Sequence, residues 1–249
     1  MAETTFHGLI DDLEKYLEYQ RDEGVQRLEV DRAVLSELTK VPAPEAPEAA
    51  RVEVASIPQD FTSLEGIAAH IATCRNCSLC QGRTNTVPGE GNADSPDIMF
   101  IGEGPGADED AQGRPFVGKA GQLLTKMIEA MGYQREKVFI ANVVKCRPPN
   151  NRAPQPEEME ACLPYLRQQI GLIKPKTIVG LGATAIKGLL GKTAGITRLR
   201  GTWQEYEGIK LMPTFHPSYL LRDPSKKKDV WQDLKQVLTE LGKEPPAKK

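Results

Sequence analysis

Beyond residue 90 the chain carries four short runs of apolar residues, several of them β-branched: DIMFIG at 97–102, VFIANVVK at 138–145, TIVGLG at 177–182 and IKLMPTF at 209–215. Stretches with helical spacing lie between them, near 118–131, 157–173 and 183–190, and a last one lies near 229–241. A strand apolar at nearly every position must be covered on both faces, and strands joined through helices run parallel. The expected fold is therefore α/β, three layers in the order α/β/α around a central, mainly parallel four-stranded sheet. Such sheets bind ligands beyond the carboxyl ends of their strands. Here those ends read GEGPG, NVVKCRP, GLGAT and TFHPSYL.

The front of the chain reads differently. Residues 6–40 have helical spacing, with Leu9, Leu13, Tyr16 and Leu17 on one side, then Val30, Val34, Leu35 and Leu38, divided at Gly24. Residues 41–60 alternate Pro, Ala and Glu with few large apolar groups, the composition of an extended linker. The expected organisation is a helical N-terminal extension at 1–40, a linker at 41–60, a catalytic body at 61–242 and a tail at 243–249. Charge follows the same division: residues 1–70 hold 6 Lys/Arg against 15 Asp/Glu, and residues 71–249 hold 26 against 19. A basic body tolerates a polyanionic partner. No run is apolar enough to span a membrane, and MAETTFHGLIDDLEKY is acidic where a secretory leader is basic. The expectation is a cytoplasmic protein, in which clustered cysteines serve metals or redox chemistry and not disulfides.

The five cysteines are Cys74, Cys77, Cys80, Cys146 and Cys162. The C-x-x-C pair Cys74 and Cys77 can share one metal centre. Cys146 and Cys162 bracket a loop with four prolines and can supply two more thiolates. A Cys₄ set suits zinc or an iron–sulfur cluster; small buried core residues are the alternative for Cys146 and Cys162. Cys80 leaves one cysteine in surplus.

At the strand ends, GEGPGADED exposes backbone N–H groups to a ligand, yet Pro105 and the acidic run after it break the dinucleotide fingerprint. Glu103 is a candidate base. His216, one of three histidines, is aimed by Pro217, and its position matches that of Glu103 on what is expected to be a neighbouring strand. Asn142 sits inside an apolar run, where a buried amide needs partners and can read a planar polar ligand through paired hydrogen bonds.

Taken together, GEGPGADEDAQGRPFVGKAGQLL, NVVKCRPPNNRAPQPEEMEAC and FHPSYLLR resemble the uracil-DNA glycosylase superfamily, most closely its iron–sulfur-containing family 4, over about residues 70–241. The resemblance implies a uracil-DNA glycosylase fold and a [4Fe–4S] cluster on Cys74, Cys77, Cys146 and Cys162, with Cys80 spare. It implies a partner, uracil-containing DNA in single- or double-stranded form, and a protein that acts as a monomer. It also implies roles. Phe116 stacks on the extruded base, and Asn142 reads its O4 and N3 edge. The backbone at Gly102 and Gly104 contacts the base, and Glu109 fills the space of the thymine methyl. His216 donates to the developing oxyanion while Glu103 positions water. Pro217 and Ser218 meet flanking phosphates, and Leu220 wedges into the gap left in the duplex. Position 104 carries glycine where many relatives carry alanine. The loop RPPNNRAP lacks the histidine with which a nearby family captures its product. A cluster-bearing protein that binds nucleic acid or senses redox state without catalysis is the alternative from another class; retention of Glu103, Phe116, Asn142 and His216 together speaks against it.

Overall fold

The computed structural model describes residues 57–58, 61–191 and 195–246. The expected extension at 1–40 and nearly all of the linker at 41–60 lie outside the described residues. In chain order the elements are α1 (Leu64–Thr73), β1 (Glu90–Gly91), β2 (Ile98–Gly102), α2 (Ala107–Gln112), α3 (Lys119–Ala130), β3 (Phe139–Asn142), α4 (Pro156–Ile173), β4 (Thr177–Leu181), α5 (Ala183–Leu190), α6 (Ile196–Leu199), β5 (Gln204–Tyr206), β6 (Ile209–Thr214), α7 (Pro217–Arg222) and α8 (Lys227–Glu240).

The sheet has six strands in the order β1-β3-β2-β4-β6-β5, not four. The four apolar runs form its parallel centre, with Gly102 opposite Asn142 and Leu181 opposite Thr214. Two short antiparallel strands close the edges. Side chains alternate across this sheet as the pleat requires. Met99, Ile101, Phe139 and Ala141 face the core beneath α1, α4 and α5, whereas Ile98, Phe100, Val138 and Ile140 face the core beneath α3, α7 and α8. Pro213 is tolerated in β6 because pairing with β5 ends at Leu211, so its missing N–H breaks no bond on that side.

Helix starts follow local chemistry. The Ser63 hydroxyl accepts from Gly66 N at 3.1 Å and opens α1. Pro156 occupies the first turn of α4, where the Glu158 carboxylate reaches back to Gln155 N at 2.7 Å. The same carboxylate takes two bonds from Arg152 and one from the Ser78 hydroxyl. The Arg152 guanidinium holds Glu158 down at about 2. At the other end, Lys243 is tied to Asp97 at 2.7 Å and lies 4.5 Å from the centre of the Tyr133 ring. The folded body therefore continues past the expected boundary at 242.

The path β2–β3–β4 moves from β2 to one neighbour and then back across it to the other. That reversal is a topological switch point at the carboxyl end of β2, and it opens the crevice where ligands of this architecture bind.

Candidate active site and thiol cleft

A cleft of about 500 Å³ opens at this switch point. It gathers Glu103, Gly104, Glu109, Phe116, Asn142, His216 and Ser218 from the ends of β2, β3 and β6 and the segments after them, with Gly182 from just after β4. One expectation needs correction. β4 lies between β2 and β6, so Glu103 and His216 are not on neighbouring strands. They follow strands on either side of β4, which leads into Gly182, whose φ is +89° and where a Cβ would come within 3.1 Å of the His216 side chain. A residue with a side chain there would crowd the imidazole.

Asn142 ends β3 and is 1% exposed. Its Oδ1 has no hydrogen-bond partner. A buried polar atom left unpaired costs about 1–3 kcal/mol, so the site is shaped for a donor that arrives from outside. Gly102 lies directly behind: a Cβ there would sit 2.5 Å from both Asn142 Oδ1 and the Phe116 ring. Gly102 is thus the floor that lets both groups converge. At Gly104 the same test meets a Val144 methyl at 2.7 Å, so buried Val144 occupies the space that alanine would need.

Phe116 holds φ +50°, uncommon for a bulky residue. Such conformations cost of order 1–3 kcal/mol and persist where surroundings over-determine them. Three anchors do so here. Arg135 donates to Pro115 O and, through Nε and Nη2, to Glu90. Val117 N and Gly118 N both donate to Glu109 Oε1 at 2.8 Å, with Gly106 N on Oε2 at 3.1 Å. Gly121 in α3 has no side chain to meet the Phe116 carbonyl, which lies where its Cβ would be. The Phe116 ring faces the His216 imidazole with centroids 5.6 Å apart and planes tilted by 35°.

His216 caps α7. Its Nδ1 accepts from Ser218 N at 3.1 Å and pairs with the Ser218 hydroxyl at 2.8 Å. An Nδ1 that accepts a backbone N–H carries no proton, so the neutral ring bears its proton on Nε2. Burial pushes the imidazole down to about 4, with Arg222 adding to the effect. The cleft therefore contains a neutral N–H donor at physiological pH.

The segment after His216 departs from expectation. Leu220 is 1% exposed and belongs to the core with α3 and α8, so it cannot be the exposed wedge. Leu221 is 46% exposed and is the exposed large apolar side chain among the described residues. Pro217 is buried in the first turn of α7, and the Ser218 hydroxyl is engaged with His216. Lys119, Arg152 and Arg222 line the cleft as well, charges that spacing alone does not single out.

All five cysteines line a second, smaller cleft, formed by the end of α1, the turn after it, the segment leaving β3 and the middle of α4. Burial raises Cys77 to about 11 and Cys162 to about 12, and raises Cys146 too. Arg83 Nη1 lies 3.1 Å from Cys146 Sγ, and Lys145 N donates to Cys162 Sγ at 3.3 Å. Among the described residues no group of three forms the ligand set of a single ion. A cluster asks for something else, since each thiolate binds a different iron, and backbone N–H donors to sulfur stabilise its charge.

Lys145 itself is fully buried. Its Nζ donates to Asn142 O at 2.8 Å and Gln169 Oε1 at 2.7 Å. Burial brings the ammonium down to about 8, partly opposed by Cys162. In the sequence it stands as the last residue of the apolar run 138–145. A lysine in such a run was the available signal.

Residues 88–235 match the model of the uracil DNA glycosylase superfamily. The chain is 49% identical over 185 residues to a type-4 uracil-DNA glycosylase of Thermotoga maritima, covering 73% of this chain and 96% of that one. It is 48% identical over 184 residues to one of Sulfurisphaera tokodaii, covering 70% and 83%, and 45% identical over 193 residues to one of Saccharolobus solfataricus, covering 74% and 88%. The switch-point cleft with its unpaired amide, and this likeness along most of the chain, agree: the protein belongs to the uracil-DNA glycosylase superfamily and to its type-4 branch.

Proposed function

We infer that the protein is a DNA-repair hydrolase that cleaves the N-glycosidic bond of deoxyuridine, releasing uracil and leaving an abasic site. Its membership of the type-4 branch supports the activity, and the cleft supports the roles of its residues. The observation that carries the reading is the unpaired Oδ1 of buried Asn142, beside a stacking ring and a neutral imidazole.

A base inside a duplex is out of reach, so the nucleotide must swing out into the cleft. Phe116 stacks on it. Asn142 accepts from uracil N3–H through Oδ1 and donates to O4 through its amide N–H. Cytosine reverses both polarities and is refused. Glu109, clamped by three backbone N–H groups, forms a wall that cannot swing aside for a C5 methyl. Bond cleavage leaves the electron pair on uracil and positive charge on the sugar. His216 Nε2–H donates to the carbonyl oxygen on which the negative charge grows, a type of contact worth roughly 10²–10³ in rate. Glu103 stabilises the cationic sugar, orients water toward its anomeric carbon and takes the proton as the new C–O bond forms. Lys119, Arg152 and Arg222 are placed for phosphates at the cleft mouth. Leu221, the exposed apolar residue of α7, takes the wedge role.

The thiol cleft fits a [4Fe–4S] cluster, which Cys74, Cys77, Cys146 and Cys162 would hold. Such a cluster supplies charge and cross-links between segments, since this hydrolysis moves no electron. The decisive experiment is incubation with a single-uracil oligonucleotide, followed by alkaline cleavage at abasic sites; intact strands would refute the proposed activity. Iron analysis of the purified protein tests the cluster separately.

A further inference from the structure

Between the base pocket and the thiol cleft stands a buried cation. Lys145 is 1% exposed, and both bonds of its ammonium go to neutral oxygens, Asn142 O and Gln169 Oε1. The main-chain N–H of Lys145 donates to Cys162 Sγ at 3.3 Å, and the residue that follows it is Cys146, so it is in direct contact with the thiol cleft. Gln169 is itself held through Nε2 on Pro88 O at 2.8 Å, and Val87 N binds Lys145 O at 2.8 Å. An isolated buried ammonium is costly unless a negative charge accompanies it. Neutral thiols do not provide one, whereas a thiolate-bound centre does.

We propose that Lys145 is a positioning residue that couples the two sites: the charge of the cysteine-bound centre keeps its ammonium in place, and the ammonium holds the Asn142 main chain so that its amide faces uracil. Lys145 does not line the base cleft, and it lies on the covalent path between Asn142 and Cys146. The inference rests on the cluster reading. It makes the cluster relevant to base recognition without assigning it any redox step. A network of this kind is high in consequence because each member satisfies the next.

The test uses the purified holoprotein and two substitutions. Lys145→Met keeps length and removes charge. It should raise KM for uracil-containing single strands about tenfold while kcat changes less than threefold, and iron release to a chelator should accelerate severalfold. Gln169→Glu leaves Lys145 bonded to Asn142 but gives it a local carboxylate. KM should stay within about twofold of the parent, while iron release again accelerates because the cation is now shared. Unchanged KM in a folded Lys145→Met variant would overturn the positioning role, as would a fall confined to kcat. If Lys145→Met does not fold, Gln169→Glu decides: iron release at the parental rate would overturn the coupling. A parent protein that contains no iron would refute the cluster reading, and the KM of Lys145→Met would still report on Asn142.

Discussion

The Asn142 main-chain carbonyl is held by Lys145 and its side-chain Oδ1 is unpaired, so changes there should alter choice of base more than rate. Asn142→Asp replaces the donor facing O4 by an acceptor. A paired base contact is worth about 1–3 kcal/mol of discrimination, so the uracil-to-cytosine excision ratio should fall by one or two decades. His216→Ala should slow both bases alike, because the imidazole meets leaving-group charge and not base identity. Single-turnover rates on matched uracil and cytosine oligonucleotides separate the two, and the reverse pattern would exchange the roles. The imidazole also makes a pH prediction. Its value near 4 in the fold lies below the free value of about 6.5. The neutral ring therefore persists as pH falls through 6.5, and protonation sets in only toward 4. The profile of kcat/KM should show no His216 inflection between pH 6 and 7; a loss of activity centred there would mean that the ring is not held as described.

At the scale of elements, α7 presents Leu221 and buries Leu220, so Leu221→Ala should impair excision from duplexes more than from single strands. Filling the gap offsets part of an unstacking cost of a few kcal/mol, which makes roughly a tenfold difference between the two substrates reasonable. Equal losses on both would remove the wedge role. The thiol segments make a second prediction: Cys146→Ser or Cys162→Ser should lower iron content and stability, and Cys80→Ser neither, as read by iron analysis and thermal melting. Much of this was legible in sequence. Strands β2, β3 and β4 announced themselves because each is buried at every position and so is nearly all apolar, and β6 because it is buried from Leu211 onward. The edge strands β1 and β5 were not legible, since two or three residues pairing on one side need no such run. The cysteine spacing and the strand-end residues led to both clefts. The Leu220 error has a physical source: consecutive residues on a short helix point in directions about 100° apart, and only packing against α3 and α8 decides which one is covered. Lys145 escaped notice because a buried lysine is intelligible only once its acceptors are seen.

For the whole molecule, charge governs the encounter with DNA. The body beyond residue 70 is net basic and the front is acidic. Affinity for DNA should therefore fall steeply with salt as phosphate contacts release counterions. Deleting residues 1–60 should leave excision intact or slightly faster, because an acidic segment that repels the polyanion has been removed. A truncated protein that folds but does not excise would show that the front contributes to catalysis.

One feature of the fold extends beyond chemistry. The stretch from Cys146 to Cys162 leaves the thiol cleft, passes Pro148, Asn151 and Arg152 at the mouth of the base pocket, and returns. With Cys146 and Cys162 both held by the proposed cluster, it would be topologically a ring and no longer a strap. The entropy of closing a ring rises only slowly with its circumference. Its tip at Asn150 and Asn151, both at positive φ, is then a place where residues can be inserted at little thermodynamic cost. Such insertions would leave the thiol cleft alone and reshape only what meets the DNA, giving the lineage a way to vary substrate preference while that cleft stays constant.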